Sequence, residues 1–282
     1  MRTLIFNSTN VLQGSRNSTF RYNFPVSVKF EKGDKVALQS ILLPYSWYNI
    51  NASLYNNNTF SIYYMGQITT LIIPDGFYSL DDLNYWFQHQ CLLASNNLPY
   101  LVDANGNNVY YGQFSYNTPY YSVQWDAFQV PSELPDGWTN PSNIPLSGFT
   151  LQLIIENNNF GKIIGFNTGS YPPVQDSTAT YSTTSALQGN IPNLSPVNSL
   201  VLQCSLCNND FTVPSKLLYS FAPNTSFGSN IFLSPPQFAW INTVEGTYTS
   251  IDIVITDQNF QTIDIKDTNV CIQLVIKSNV HD

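Results

Sequence analysis

The chain has 282 residues, of which 43% are hydrophobic and only 10% are charged, and its net charge is −8. The hydrophobic content excludes a disordered chain, and the acidic balance argues against a general nucleic-acid-binding protein. Four cysteines in a chain of this length argue against a disulfide framework. The low content of charged side chains favours a protein that functions in contact with other proteins. A β domain with amide-rich loops and no such role is the simpler interpretation of the same composition.

Strand patterns recur along the whole chain. Thr19–Phe30 alternates aromatic or β-branched residues with polar ones over its first half, and Val36–Pro44 is an apolar run that ends at a proline. Two hairpins are predicted, the first across Met65-Gly66-Gln67 and the second across Asn117-Thr118-Pro119. The hairpin strands and the other predicted strands are Thr59–Tyr64, Ile68–Pro74, Val109–Asn117, Tyr120–Val130, Phe149–Glu156, Ser199–Cys207, Tyr219–Phe221, Ile251–Asp257 and Val270–Ile276.

One helix is predicted between these strands. Ser79 begins a capping pattern with Asp82 three residues later, and apolar residues follow at helical spacing. The predicted helix covers about Leu80–Ala94. A lone helix among strands does not form a parallel α/β sheet, so it covers one end or face of a β structure.

The strand pattern and the long Pro- and Gly-rich loops predict an all-β fold, namely a single jelly roll, or antiparallel β-sandwich. A jelly roll needs fewer than 282 residues, so the chain also has long apical loops or an inserted β subdomain. The expected division is residues 1–97 as the first part of the jelly roll, 98–196 as a loop-rich region or insertion, and 197–282 as the last part.

The positive charges are concentrated at the N-terminus. Up to Lys35 the net charge is +4, whereas the remaining residues sum to −12. This pattern predicts a basic face directed toward an acidic neighbour or a packaged nucleic acid, with solvated strand edges as the alternative. The candidate contact residues are Arg2, Arg16, Arg21, Lys29, Lys32 and Lys35.

Side chains that could act as a catalytic acid, base or nucleophile are scarce in this sequence, and we expect neither an active site nor a cofactor. His89 lies off the apolar side of the predicted helix, and His281 lies next to the last residue. Cys204-Ser-Leu-Cys207 has metal-site spacing, but residues three apart on a strand point to opposite faces, so no metal site is expected. Gly161-Lys162 lacks the other residues of a phosphate-binding loop.

Aromatic side chains have two possible uses, as a platform for stacking sugars or as core and subunit contacts. The second use is the more ordinary one. The prominent aromatic residues are Trp47, Tyr48, Trp86, Tyr120, Tyr121, Trp125, Trp138 and Trp240.

A signal peptide is not apparent, since the first residues lack an apolar region and a small-residue cleavage site. No apolar run approaches the ~20 residues that a bilayer-spanning helix needs. We therefore expect a protein that is made in the cytoplasm and does not insert into membranes.

Taken in order, several segments resemble the penton, or minor capsid, proteins of virophages and Polinton-like double-stranded DNA viruses. The resemblance covers most of the chain. The segments are Ala37–Ile50, Asn56–Phe60, Ile73–Leu83, Asn107–Tyr111, Asn158–Asn167, Leu217–Pro223, Phe227–Trp240, Asp257–Phe260 and Val270–Lys277.

This resemblance implies a non-enzymatic vertex protein of an icosahedral virion. Five copies would close the vertex and contact trimers of the major capsid protein, and the segment Met1–Lys35 would tie the ring to neighbouring capsomers, minor proteins or packaged DNA. Two alternatives stay open, a viral attachment or fibre protein that binds host glycans and a carbohydrate-binding β-sandwich module.

Overall fold

The computed structural model describes residues 1–156 and 158–279, so His281 lies outside the described residues. The chain divides into two compact units. The split unit consists of Met1–Trp47 and Val197–Asp282, and the continuous unit is Tyr48–Pro196.

Strands dominate both units. In chain order the strands and α-helices are β1 (Arg2–Phe6), β2 (Thr19–Phe30), β3 (Lys35–Pro44), α1 (Ala52–Tyr55), β4 (Thr59–Tyr64), β5 (Gln67–Ile72), α2 (Leu80–Leu92), β6 (Tyr100–Val102), β7 (Asn108–Tyr110), β8 (Gly112–Asn117), β9 (Ser122–Phe128), β10 (Gln152–Ile155), α3 (Phe160–Ile164), β11 (Gly169–Tyr171), β12 (Thr180–Thr184), β13 (Leu200–Cys204), β14 (Cys207–Asn208), β15 (Leu217–Phe221), β16 (Asn230–Leu233), β17 (Ile241–Thr243), β18 (Gly246–Asp257) and β19 (Cys271–Lys277).

Within the described residues, the strands of the split unit form two antiparallel sheets. The first has the order β1–β19–β3–β17–β14, with β16 also paired to β3, and the second has the order β15–β13–β18–β2. The pairs are nested along the chain: β1 pairs with β19, β2 with β18, β3 with β16 and β17, and β13 with β15. Successive strands of this unit alternate between the two sheets except β16 and β17, which both lie in the first sheet. This nested pairing is the topology of a jelly roll. The predicted single jelly roll is confirmed.

A bulge explains why the buried apolar residues of Val36–Pro44 do not follow a strict alternation. The register between β3 and β19 shifts between Gln273 and Leu274, so that Leu38 lies opposite Leu274 and Ile41 opposite Ile272. All four of these side chains are buried. The extra residue lets apolar positions with odd spacing pack into the same core.

The continuous unit has its own sheets and core. Its strands pair in the orders β11–β10–β4–β5, β12–β9–β8 and β6–β7. Phe87 of α2 meets Phe114 and Trp125 with ring centroids 6.0 and 5.7 Å apart, and Phe60 stacks on Phe160 at 4.9 Å. Such aromatic contacts add directional stability to apolar burial.

The predicted helix is present as α2, and its N-terminus is closed as the sequence indicated. The Ser79 hydroxyl accepts a hydrogen bond from the Asp82 backbone N–H, and the Asp82 carboxylate accepts one from the Ser79 N–H. Leu80, Leu83 and Phe87 are buried along one side. The short helices α1 and α3 were not predicted, because segments of four or five residues show no periodicity.

Two predicted strands are wrong in their extent. Val109–Asn117 is divided at Tyr111 into β7 and β8, which pair with different strands, β6 and β9. Ser199–Cys207 is likewise divided, because the chain turns at Ser205-Leu206 and passes from the second sheet of the jelly roll to the first.

The continuous unit begins at Tyr48, whereas the sequence placed the start of the loop-rich region at Leu98. Ile50, Phe60 and Phe87 belong to the same buried cluster as Trp125 and Leu153, which explains why residues 48–97 belong to this unit. In the strand order, the whole continuous unit lies between β3 and β13 of the jelly roll.

Candidate functional site

Two of the six basic candidates, Arg2 and Lys35, lie at the same end of the first sheet. Lys35 of β3 lies directly opposite Lys277 of β19. Arg2 of β1 lies opposite the neighbouring Ile276, so its side chain belongs to the other face of the sheet. Arg2, Lys35 and Lys277 are exposed, and among the described residues neither lysine forms an ion pair. We call Lys35 and Lys277 the cationic corner. The sequence missed Lys277 because it lies outside the N-terminal cluster and only strand pairing brings it to Lys35.

Two other basic candidates already have acidic partners within the chain. Arg21 donates two hydrogen bonds to Asp252, from Nε to Oδ1 at 2.7 Å and from Nη2 to Oδ2 at 2.8 Å. Lys29 lies 2.8 Å from a Glu31 carboxylate oxygen. The hydrogen bond to the carboxylate raises the pKa of each basic group. These exposed ion pairs contribute little to the stability of the fold. They do mean that both basic side chains already have an acidic partner within the chain.

The last two basic candidates lie in turns. The Arg16 carbonyl accepts a hydrogen bond from the Ile265 N–H at 3.0 Å, which fixes the backbone while the side chain stays exposed. Lys32 lies in the turn between β2 and β3 and lines a cavity of about 600 Å³ together with Asp210 and Glu245. The six candidates therefore differ in their local surroundings, and a shared contact role for them stays a prediction.

An exposed apolar loop follows β14. Phe211 and Val213 are 98% and 92% exposed. Their loop is held by a backbone hydrogen bond from Asn209 N–H to Ser215 O, while the Thr212 hydroxyl donates to the Pro214 carbonyl at 3.0 Å. We call Phe211 and Val213 the apolar knob. Large apolar side chains presented by an ordered loop are typical of an interaction surface.

The expectation that Cys204 and Cys207 point apart on one strand is wrong. Cys204 ends β13 and Cys207 begins β14, and both thiols are buried. A hydrogen bond between the two thiols lowers the pKa of Cys204 and raises that of Cys207. No group of three or more potential metal ligands occurs in the part of the chain that the structure describes.

The other candidate residues for chemistry have structural roles. His89 is exposed in the last turn of α2. Gly161 and Lys162 lie inside α3, which ends at Gly165 in the left-handed conformation with φ 76°. At Gly165 a Cβ would lie 2.7 Å from Ser185 Cβ, so glycine is required both for the turn and for the close approach.

The eight prominent aromatic residues do not form one platform. Trp47 lies buried in the split unit and Trp125 in the continuous unit, whereas Tyr120 and Tyr121 are exposed between β8 and β9. Among the described residues, no helix combines the length and apolar character that crossing a membrane requires.

Comparisons with known proteins find similarity in structure but not in sequence. No protein-family model matches the chain, and no curated protein matches it in sequence. Among solved structures, the mavirus penton protein is similar over 98% of this chain and 97% of that chain, with 10% sequence identity and a TM-score of 0.42.

Proposed function

We propose that this chain is a structural capsid protein, a penton-type vertex capsomer of an icosahedral double-stranded DNA virus. It acts by forming a homopentamer and by contacting neighbouring trimers of the major capsid protein. It is made in the cytoplasm of the infected host and ends in the virion, where its role is not catalytic. The main support for this proposal is the nested jelly-roll pairing of the split unit, together with the ordered sequence segments that resemble penton proteins.

The exposed surface of the split unit supports self-association. A closed ring requires a heterologous interface, in which one flank of each copy complements the opposite flank of the next. The apolar knob provides such a flank, because Phe211 and Val213 lose almost no exposure within their own chain. Apolar contacts of this kind avoid the cost of burying unpaired charges.

The N-terminal segment Met1–Lys35 supplies the contact to neighbouring capsomers or packaged DNA in this proposal. Support comes from the cationic corner, whose lysines have no ion-pair partner among the described residues and remain available to an acidic surface. The segment is also part of the jelly roll, since Phe6 of β1 is fully buried. Deleting residues 1–13 would therefore damage the fold, and side-chain substitutions are the better test.

Native mass spectrometry of the purified chain tests the proposal. We expect a species of about 159 kDa, five times the 31.7 kDa of one chain. A trimer of about 95 kDa, three times that mass, would favour the fibre alternative. A strict monomer, also when supplied with the major capsid protein, would contradict the proposal, as would imaging of particles that places this chain away from the five-fold vertices.

The apolar knob should control ring formation. Phe211→Ser with Val213→Ser should weaken self-association about 30-fold, because a central apolar contact contributes about 2 kcal/mol. Val26→Ser is the matched control, since Val26 is exposed in the same unit but lies on β2. A pentamer of unchanged stability in the double variant would show that the ring contacts lie elsewhere.

A further inference from the structure

One face of the continuous unit carries an ordered set of polar side chains, four of them uncharged and one a carboxylate. In the sheet β12–β9–β8, Gln113 lies opposite Asp126, and Asp126 lies opposite Ser182. On β9 the same face carries Gln124, two residues before Asp126. On β8 it carries Asn117, four residues after Gln113 and at the end of the strand. Because side chains alternate between the two faces of a strand, these residues share the face opposite Trp125 and the core. We call Gln113, Asn117, Gln124, Asp126 and Ser182 the amide face.

A continuous hydrogen-bond network fixes these side chains. Asp126 Oδ1 accepts from Gln124 Nε2 at 2.7 Å and from the Ser182 hydroxyl at 2.5 Å, and its Oδ2 accepts from Gln113 Nε2 at 3.2 Å. Gln124 Oε1 in turn accepts from Asn117 Nδ2 at 2.8 Å. The Asp126 carboxylate is held by amides and a hydroxyl, with no cation beside it among the described residues. The orientation of each amide is therefore fixed before any ligand arrives, which reduces the entropy lost on binding.

The network ends beside an aromatic tip. Tyr120 and Tyr121, which are 70% and 76% exposed, lie in the connection between β8 and β9. Tyr121 adopts the left-handed conformation with φ 46°, and its N–H donates to the Thr118 carbonyl at 3.1 Å, so the tip is an ordered turn. The next residue, Ser122, lies opposite Asn117 on the amide face, and its buried hydroxyl has no hydrogen-bond partner among the described residues.

Charge decides which class of ligand fits this surface. The continuous unit contains one basic residue among Lys and Arg, Lys162, against nine Asp and Glu residues, which gives a net charge of −8. Phosphates, sulfates and acidic sugars would be repelled at this unit. A neutral ligand with many hydroxyl groups is not repelled, and each of its hydroxyls can both donate to and accept from side-chain amides.

We propose that the amide face and the tip Tyr120–Tyr121 form a binding site for neutral oligosaccharides. The half-buried amides and the exposed Ser182 hydroxyl exchange hydrogen bonds with vicinal sugar hydroxyls, while the buried Asp126 carboxylate holds them in place. An exposed tyrosine ring packs against the apolar C–H face of a pyranose. A few oriented polar groups next to an aromatic surface are the usual composition of a small-ligand site. The site lies wholly within the continuous unit and does not depend on the proposed ring.

The test is saturation-transfer NMR on the full chain with neutral oligosaccharides ending in galactose, mannose, glucose or N-acetylglucosamine. Sialylated and sulfated oligosaccharides form the comparison set. We expect binding of at least one neutral sugar and none of the acidic ones. Binding of no sugar, or of acidic sugars alone, would overturn the proposal, whatever the oligomeric state of the chain.

Substitutions test whether the sugar binds at the amide face and the tyrosine tip. Tyr120→Ala with Tyr121→Ala should lower the affinity at least about tenfold. Asp126→Asn should also lower the affinity, because the carboxylate that orients the Gln113 and Gln124 amides is lost. Tyr85→Ala is the matched control, because Tyr85 on α2 is 74% exposed in the same unit. Should Asp126→Asn fail to fold, the tyrosine variant decides alone. Unchanged binding in the tyrosine variant, or an equal loss in Tyr85→Ala, would contradict the assignment.

Discussion

The two units of this chain are similar in length but differ strongly in charge. The split unit has nine basic and nine acidic residues, whereas the continuous unit has one and nine. Nearly all positive charge thus lies in the jelly roll, where a cationic corner and an apolar knob are exposed. The continuous unit presents amides, hydroxyls and tyrosines instead. The difference indicates that the jelly roll is suited to contacts with charged or apolar protein surfaces, and the continuous unit to contacts with uncharged polar ligands.

The largest effect is expected from breaking one core at a time. Trp125→Ala in the continuous unit and Phe20→Ala in the split unit each remove a fully buried aromatic side chain, which costs about 3–5 kcal/mol. We propose that the continuous unit is an insertion that folds as a separate cooperative unit. Calorimetry should then show two transitions, with each variant lowering only one of them.

Exposed substitutions in the same units, Tyr85→Ala and Val26→Ala, provide the controls for this experiment. If both core variants shift a single shared transition, the two units unfold together. The units would then differ in the chemistry of their surfaces but would not be separate cooperative units.

Local pattern was enough to predict much of this structure. The predicted strand Thr19–Phe30 has the same bounds as β2, and the Ser79–Asp82 capping pattern marked the start of α2. Both signals are contained within a dozen residues, where alternation, helical spacing and capping act directly on the backbone. Strand β1 gave no such signal, because its burial comes from pairing with β19 at the other end of the chain.

The proposed sites were harder to foresee, because strand register creates them. Gln113, Asp126 and Ser182 become neighbours only when β8, β9 and β12 align, and Lys35 meets Lys277 only through the pairing of β3 with β19. The turn at Ser205-Leu206 also overrode the strand pattern, since the chain changes sheets there. Sequence reasoning found the types of residue involved but not their partners.

A smaller, pH-dependent effect should distinguish the continuous unit. Burial raises the pKa of Tyr111 to about 12, against about 10 in an unfolded chain. A raised folded-state pKa contributes stability that is fully present below pH 10 and is lost as the pH rises through about 12. Denaturation of the wild type should therefore show a loss between these values that Tyr111→Phe reduces by about 2 kcal/mol at pH 11.5.

Tyr85→Phe is the control, because the Tyr85 side chain is largely exposed. If Tyr111→Phe loses stability with pH as steeply as the wild type, the buried phenol does not drive the alkaline transition.

The smallest effect concerns the cationic corner of the split unit. Lys35 and Lys277 face each other across an antiparallel pair, and like charges in such positions are destabilising. Lys277→Gln should therefore stabilise the isolated chain by ~0.2–1 kcal/mol at low salt, and less at high salt, where the repulsion is screened. The same variant should impair vertex incorporation if the corner meets an acidic neighbour. Lys216→Gln, an exposed lysine of the same unit, should do neither. A less stable Lys277→Gln chain in salt-dependent denaturation would mean that the corner is already neutralised within the free protein.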